Sequence, residues 1–274
     1  MMTGGLQRKV EWAIKFIQSI PQDGPIELAY STGKDSDVIL ELAKMSGIPF
    51  EPIYKNTTCD WPGSIAHARE MGVRIVQPKM NMLQIIEKKG WPSRFRRFCC
   101  TILKEYKIHD RVILGIRREE SNARANRYKE PEQCRVYSSK EKARQYFPIL
   151  DWTNEDITEF VRERRLKLHP HYYDQDGNFC VERRVGCIGC PMATRNGARE
   201  LRDFPAIFRA RARAYLRFCE KHPLKRFPSP WHSLYENLFC KTVEEYYLQT
   251  SGLFGDVGEE EVKRWLENYF GVKL

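Results

Sequence analysis

The chain has 274 residues, 42% hydrophobic and 12% aromatic, with a formal charge of +10 and a pI of about 9.1. That is enough apolar material for one large α/β domain or a domain with an appendage, and it excludes a disordered or fibrous class. No apolar run approaches the roughly 18 residues of a membrane span, and no apolar core of a signal peptide follows Met1-Met2-Thr3-Gly4-Gly5, so a cytoplasmic protein with no membrane partner is expected.

Leu6, Val10, Ala13, Ile14, Ile17 and Ile20 recur at helical spacing and predict an amphipathic helix over 6–20. Pro21-Gln22-Asp23-Gly24-Pro25 ends it. Ile26 to Tyr30 reads as a short apolar strand, and a helix follows from about Ser36 to Met45, stopped by Gly47. Ile48 to Tyr54 is the next strand, 63–71 a helix, and Val73 to Gln77 a third strand. Helices over 81–89 and 97–107 precede a fourth strand, Arg111 to Ile116. Strands and helices alternating in this way predict a parallel, doubly wound sheet. Ligands of such sheets bind beyond the carboxyl ends of the strands. Segments 31–36, 55–60 and 116–121 all follow strands and are expected to share a crevice.

Beyond residue 122 the pattern changes. Residues 122–146 are polar and basic and read as an irregular excursion. Thr153-Asn154-Glu155-Asp156 reads as a helix start, with acids suited to the first turn; that helix runs to about Arg165. Residues 169–194 form a loop carrying Cys180, Cys187 and Cys190. An Arg-rich helical region with a break near Pro205 covers 196–221, and further helices cover 232–249 and 258–270. The expected organisation is an α/β domain over 1–194 and a basic helical extension over 195–274.

The first chemical motif is Ser31-Thr32-Gly33-Lys34-Asp35-Ser36, between a strand and a helix. Glycine lets the backbone approach an anion, and the helix start supplies N–H groups and a positive dipole. Lys34 adds a charge, Ser31 and Ser36 add hydroxyls, and Asp35 would hold Mg²⁺ or order the loop. It is not a Walker A loop, because no Gly-x4-Gly-Lys precedes the serine. An ordinary polar turn is the plain alternative. The segment resembles the pyrophosphate loop of N-type ATP pyrophosphatases and of 3′-phosphoadenylyl-sulfate reductases.

The second motif is Cys99-Cys100 with Cys187-Ile188-Gly189-Cys190. Nine cysteines are an odd number, and in a reducing compartment they do not read as a disulfide framework. Adjacent thiolates suit a cubane, whereas zinc sites more often separate their ligands by two to four residues. Structural zinc and buried core thiols are the alternatives. The arrangement resembles the [4Fe–4S] site of adenylyl-sulfate reductases, with Arg97, Phe98 and Lys104 around the first pair and Gly186, Pro191 and Met192 around the second.

The third is Gly115-Ile116-Arg117-Arg118-Glu119-Glu120-Ser121 with Arg124. Its guanidinium forks suit phosphate or sulfate, and it resembles a stretch of the same reductases; solvated charges are the alternative. The crossover Asn56-Thr57-Thr58-Cys59-Asp60-Trp61-Pro62 departs from their wording.

The chain is thus similar, over roughly residues 26–194, to the phosphoadenylyl-sulfate and adenylyl-sulfate reductase family, including its DNA-phosphorothioation sulfurtransferase relative. The resemblance implies an adenine nucleotide alpha-hydrolase-like, Rossmann-like fold. It implies nucleotide binding by Ser31, Thr32, Gly33, Lys34, Asp35, Ser36, Asn56, Thr57, Arg117, Glu120, Ser121 and Arg124, with Lys34, Asp35 and Arg117 catalytic. Cys99, Cys100, Cys187 and Cys190 would hold a [4Fe–4S] cluster, or zinc, beside ATP or a sulfated adenine nucleotide, with Lys104 tuning the site. Cys180 would be a substitute ligand, a persulfide carrier or a core residue.

Assimilatory reductases carry a Glu-Cys-Gly-[Ile/Leu]-His tail, and this chain ends Glu267-Asn-Tyr-Phe-Gly-Val-Lys-Leu274, leaving Cys219 or Cys240 as replacement nucleophiles. The expected chemistry is therefore adenylation of an acceptor by ATP followed by sulfur transfer. Reduction of a sulfated nucleotide to sulfite and a non-catalytic nucleotide- or nucleic-acid-binding module are the other two readings. Implied partners are a cysteine desulfurase as sulfur donor or thioredoxin. The face carrying Arg195, Arg199, Arg202, Arg209, Arg211, Arg213, Arg217, Lys221, Lys225 and Arg226, with Phe204, Phe208, Tyr215 and Phe218 interleaved, would bind tRNA or DNA, or is a solvated basic face over an aromatic core.

Overall fold

A computed structural model of the chain describes residues 2–193, 196–240, 243–252 and 255–274. Arg195 and the expected boundary between residues 194 and 195 lie outside the described residues. The chain forms two compact units: one of 1–56, 60–77 and 105–186, the other of 57–59, 78–104 and 187–274. Neither coincides with a cut at residue 194, because the cysteine-bearing segments 78–104 and 187–190 group with the C-terminal helices.

The first unit is built on a six-stranded sheet. Its strands are β1 (Ile26–Tyr30), β2 (Glu51–Lys55), β3 (Arg74–Val76), β4 (Arg111–Ile113), β5 (Glu132–Val136) and β6 (Lys142–Tyr146). The order is β3-β2-β1-β4-β6-β5, parallel throughout except for β5, which pairs antiparallel with β6. The connection reverses direction between β1 and β4, so the loops after these two strands flank the switch point where doubly wound sheets bind ligands.

Local sequence explains most of the helices. In α1 (Gly4–Gln18) the Thr3 side chain caps Leu6 N–H, and Leu6, Val10, Ala13 and Ile17 form the buried stripe. These residues pack with Val38, Ile39 and Leu42 of α2 (Lys34–Ser46) and with Ile26, Leu28 and Tyr30 of β1 in one core. The first unit also holds α3 (Ser64–Glu70). In the second unit, α4 (Met82–Lys89) starts with a capping box of Asn81 and Gln84 and is followed by α5 (Phe98–Leu103), shorter than the expected 97–107.

The expected irregular excursion at 122–146 is instead ordered: α6 (Asn122–Arg127), then the hairpin of β5 and β6. Its strands escape an apolar-run reading because β6, Lys-Ala-Arg-Gln-Tyr, buries Ala143, Gln145 and Tyr146 while Lys142 and Arg144 face solvent. The first unit closes with α7 (Asn154–Arg164), opened by the expected cap at Thr153, here a capping box with Asp156.

In the second unit the Arg-rich region divides at Phe204 into α8 (Asn196–Asp203) and α9 (Pro205–Lys221), as the Pro205 break predicts. The expected helix over 232–249 is two helices, α10 (Pro230–Phe239) and α11 (Val243–Thr250), followed by α12 (Glu259–Phe270). The Phe208 and Phe270 rings stack with centroids 3.6 Å apart, tying α9 to α12. Among the described residues no helix is long and apolar enough to cross a membrane.

Candidate functional site

The loop after β1 is shaped from within. Thr32 sits at φ +61°, a left-handed conformation that β-branched residues rarely adopt. Its hydroxyl donates to Ser31 O at 2.6 Å, and a contact to Ser64 Oγ at 3.2 Å ties the loop to α3. Ser36 Oγ donates to Gly33 O at 2.7 Å, and Ser31 Oγ lies 3.3 Å from Ser36 Oγ. Lys34 N–H, at the start of α2, donates to the Tyr172 hydroxyl at 3.0 Å. Tyr172 is buried, which pushes its phenol well above the ordinary value.

Asp35 is the hinge of the charges. One carboxylate oxygen lies 3.4 Å from Lys34 Nζ, and the other accepts from Arg117 Nε at 2.6 Å. Both oxygens therefore face cations, the geometry of a loop-ordering group. Arg117 is 1% exposed. Its remaining donors reach Glu119 Oε2 at 2.9 Å, Trp152 O at 3.1 Å and Asn154 Oδ1 at 2.8 Å. Burial works against its charge, but Asp35 and its acidic neighbours outweigh burial, and the guanidinium pKa rises. These bonds turn the guanidinium inward, so Arg117 braces the loop rather than presenting a fork to solvent. Gly115 is required here, since a Cβ would lie 2.8 Å from Asp35 O.

The other expected nucleotide residues divide. Glu120 accepts from Arg117 N–H at 3.1 Å and pairs with Arg124, and burial raises its carboxyl. Ser121 caps α6 through Arg124 N–H. Asn56 donates to Gln77 Oε1 at 2.8 Å. Thr57 belongs to the second unit, where its Oγ1 lies 3.5 Å from Cys187 Sγ. Behind the loop, buried Asp37 accepts from the Tyr30 hydroxyl and faces His67 Nε2 at 3.1 Å; burial raises its carboxyl.

The four predicted thiols do come together in the second unit. Cys99, Cys100, Cys187 and Cys190 line one small pocket with Lys104 and Arg211. Distant segments form it: Ile188 N–H donates to Cys59 O at 2.8 Å, and Gly189 N–H to Glu200 Oε2 at 2.9 Å. Gly189, at φ +64°, leaves no room for a side chain, because a Cβ would meet Leu201 at 2.5 Å. The hydrogen-bonded Cys100 thiol, burial, and the nearby Cys187 and Cys190 all hold the Cys99 thiol far above its ordinary pKa. All nine cysteines are outside disulfides. Among the described residues no three His, Cys, Asp or Glu side chains converge as ligands of one metal ion.

Arg211 departs from the expected basic face. It is 5% exposed, donates Nη1 to Ile188 O at 2.7 Å, and keeps Nη2 buried with no hydrogen-bond partner among the described residues. Arg199, Arg202, Arg209, Arg213 and Arg217 do face solvent. Cys180 lies in the first unit, against Asn178 O, and does not line the thiol pocket. Burial raises the thiol of Cys219 and pushes that of Cys240 up to about 12, so neither is poised as a thiolate.

Sequence reasoning missed Tyr172, Asn154 and the buried state of Arg211. Asn154 had a signal in the Thr153 cap. Tyr172, 138 positions from Lys34, and Arg211, at an ordinary helix position, had none.

The sequence family described as the phosphoadenosine phosphosulfate reductase domain matches residues 25–193. An uncharacterized 37.8 kDa protein of Escherichia phage 186 (gpa 5′ region) is 31% identical over 144 residues, covering 47% of this chain and 40% of that protein. Sulfate adenylyltransferase subunit 2 of Mycolicibacterium vanbaalenii is 26% identical over 178 residues, 53% of this chain and 57% of that one. The chain thus spans only about half the length of these relatives. The crystal structure of phosphoadenylyl-sulfate reductase from Candida auris, a phosphate complex, aligns at a TM-score of 0.45 and 14% identity over 62% of this chain and 90% of that one.

Proposed function

The chain belongs to the phosphoadenosine phosphosulfate reductase domain family, and from that premise we propose that it is an ATP pyrophosphatase of the sulfurtransferase type. The observation that carries this reading is the braced loop at the switch point: Lys34 and buried Arg117 are both set by Asp35 at the start of α2. Such a loop is preorganised for an anion, because its charges need no rearrangement when phosphate arrives. Ser31, Gly33 and Ser36 would hold the β- and γ-phosphates of ATP, and Lys34 would neutralise charge growing on the departing pyrophosphate. Both Asp35 oxygens face cations, which supports a positioning role over one as a Mg²⁺ ligand.

In the proposed reaction an acceptor oxygen attacks the α-phosphorus. The α–β anhydride breaks and pyrophosphate leaves. A hydrosulfide-level nucleophile then displaces AMP, so the acceptor exchanges a bond to oxygen for one to sulfur without net redox change. A cysteine desulfurase fits the donor role together with a dithiol reductant, which releases its persulfide sulfur as hydrosulfide and is itself oxidised to a disulfide. The kinship with sulfate adenylyltransferase subunits supports adenylyl transfer, and the raised thiols of Cys219 and Cys240 speak against sulfite formation through either of them.

We read the thiol pocket as the seat of an anionic [4Fe–4S] cluster on the chemistry of its donors. Cys99, Cys100, Cys187 and Cys190 would be its ligands, and Lys104 and Arg211, whose Nη2 has no hydrogen-bond partner among the described residues, would match its negative charge. When bound, the cluster would supply a redox-active, sulfur-rich centre. Arg211 would donate to it and Lys104 would balance its charge.

The test is turnover by anaerobically purified protein of known iron and zinc content. ATP and phosphoadenylyl sulfate are offered in parallel with reductant and with tRNA or DNA as acceptor, and pyrophosphate and sulfite are assayed. Pyrophosphate formed from ATP without sulfite is the expected result. Sulfite from the sulfated nucleotide would establish a reductase instead.

A further inference from the structure

The first N–H of α2 is capped from far along the chain. Gly33, the N-cap residue, has no side chain that could accept it. Tyr172 supplies the oxygen instead, 138 positions away and 2% exposed. The phenol is set by its own backbone: Tyr172 N–H donates to His169 O at 2.9 Å, and Tyr172 O accepts from Cys180 N–H at 2.8 Å. Lys34 Nζ lies 5.8 Å from the centre of the same ring. One buried phenol thus meets both the backbone N–H and the ammonium of Lys34. All of these residues belong to the first unit.

A phenol oxygen accepts hydrogen bonds and also gives one. Tyr172 Oη accepts twice, from Lys34 N–H at 3.0 Å and from Val185 N–H at 3.4 Å. Its own O–H has no acceptor among the described residues. In a loop whose charged groups bond one another, this is a donor left open. Gly33 marks the place where it can be used. A Cβ on that residue would lie 3.3 Å from Ser31 Oγ and 3.5 Å from Tyr172 Oη. Two hydroxyls therefore flank a space that no side chain fills, at the positive start of a 13-residue helix. Ser31 is exposed, so a ligand oxygen passing it meets the phenol from the loop side. Both oxygens of Asp35 already face Lys34 and Arg117. The occupant that suits these donors is an anion with several acceptor oxygens.

We infer that Tyr172 is a phosphate-binding residue, whose O–H donates to a phosphoryl oxygen of the pyrophosphate half of the nucleotide while its oxygen holds Lys34 N–H. The inference rests on the proposed function for the identity of that nucleotide. It adds to the contiguous loop a donor from a distant turn. Departing pyrophosphate keeps this bond, and AMP never makes it.

The experiment uses the full chain with its native metal content. Calorimetry reads the affinities for inorganic pyrophosphate, ATP and AMP, and urea unfolding without ligand reads stability. Tyr172→Phe should weaken pyrophosphate and ATP by about tenfold or more, the effect of a bond to a charged group, and leave AMP unchanged. A phenol that only caps α2 behaves otherwise. Its loss would free Lys34 N–H for the anion, and pyrophosphate would bind the variant at parental strength or better. That result would overturn the inference.

A second replacement decides the matter even where phenylalanine unsettles the fold. Fluorotyrosine in place of Tyr172 has a more acidic O–H, so it is the better donor and the poorer acceptor, and burial keeps it protonated. Pyrophosphate should bind it more tightly than the parent while stability falls slightly, and the fluorine resonance should shift with pyrophosphate and not with AMP. Weaker binding together with lower stability would make Tyr172 a cap alone. Tyr172-dependent binding of ATP by a protein that never releases pyrophosphate keeps this inference and removes the proposed reaction. Failure of the parent protein to bind pyrophosphate or ATP would overturn both.

Discussion

In the first unit the charged groups of the loop close on one another: Lys34, Asp35, Arg117, Glu119 and Asn154 form one bonded set. In the second, the thiol pocket keeps a buried guanidinium N–H without a partner among the described residues. A buried donor left unpaired costs about 1–3 kcal/mol, more for a charged group. The first site is therefore closed on itself, and the second, on the proposed reading, would be completed by a bound cluster. The two should respond oppositely to loss of a bound group: metal removal should unsettle the second unit and leave the first intact.

The largest effect should come from Cys187→Ser. It removes one of four thiols from a pocket assembled from segments far apart in the chain, and ligand binding there is coupled to folding. Iron content should fall to near zero and the thermal midpoint should drop by several degrees. Wild-type iron content in this variant would remove Cys187 from the ligand set.

Next is Arg117→Met, aimed at the closed set. Removing one partner of a buried pair leaves one Asp35 oxygen without its donor and costs about 3–5 kcal/mol. Urea unfolding should show this loss with iron content unchanged. A loss below about 1 kcal/mol, the range of an exposed pair, would mean that the loop does not depend on the brace.

Arg211→Met tests the open set. It deletes the orphaned N–H together with the bond to Ile188 O, two effects of opposite sign and similar size, so the stability of the metal-free protein should change little. Iron retention against a chelator should fall about 10–100-fold, as for other groups that support metal ligands. Equal destabilisation of both forms would make Arg211 a plain structural residue held by Ile188 O. Lys34→Ala should follow with a smaller effect, about tenfold weaker nucleotide binding or ~1.4 kcal/mol, and no change in iron. Parental nucleotide affinity would count against the loop.

The comparison also explains what could be read from the sequence. The loop at 31–36 was legible because strand, glycine, lysine and helix start are contiguous, and contiguity fixes local geometry. The sheet was legible up to β4 because its strands are apolar runs. The hairpin of β5 and β6 was not, since β5 is a polar edge strand and β6 beside it carries Lys142 and Arg144 at its outward positions. Arg117 was found as a residue, but its inward bonding was not. The spacing shows a guanidinium after a strand, but only tertiary packing brings Trp152 O and Asn154 to it. The thiols were identified as ligand candidates by their pattern alone. Arg211 could not be, because one arginine among many on α9 carries no mark of which way it faces.

The smallest predicted effect is a pH dependence confined to the first unit. His169 is 2% exposed, and its Nδ1 accepts from His171 N–H at 3.1 Å, so the ring is held neutral. Burial lowers its pKa from 6.5 to about 4. The unfolded chain takes up a proton below pH 6.5 that the folded chain refuses until about pH 4, so stability falls as pH falls through that window. Between pH 6.5 and about 5.5 the loss from this group is about 1 kcal/mol. Buried Asp37 acts with the opposite sign, because its pKa is raised, so the informative quantity is a difference between proteins. His169→Asn keeps an acceptor for His171 N–H and cannot titrate. Its urea midpoint should lose less on acidification than the parent's, by about 1 kcal/mol in free energy. The same acid step should leave iron content unchanged, since His169 belongs to the first unit. Parallel pH profiles for the two proteins would mean that His169 takes up its proton alike in the folded and unfolded chain. The His171 contact could not then be the bond that holds it neutral.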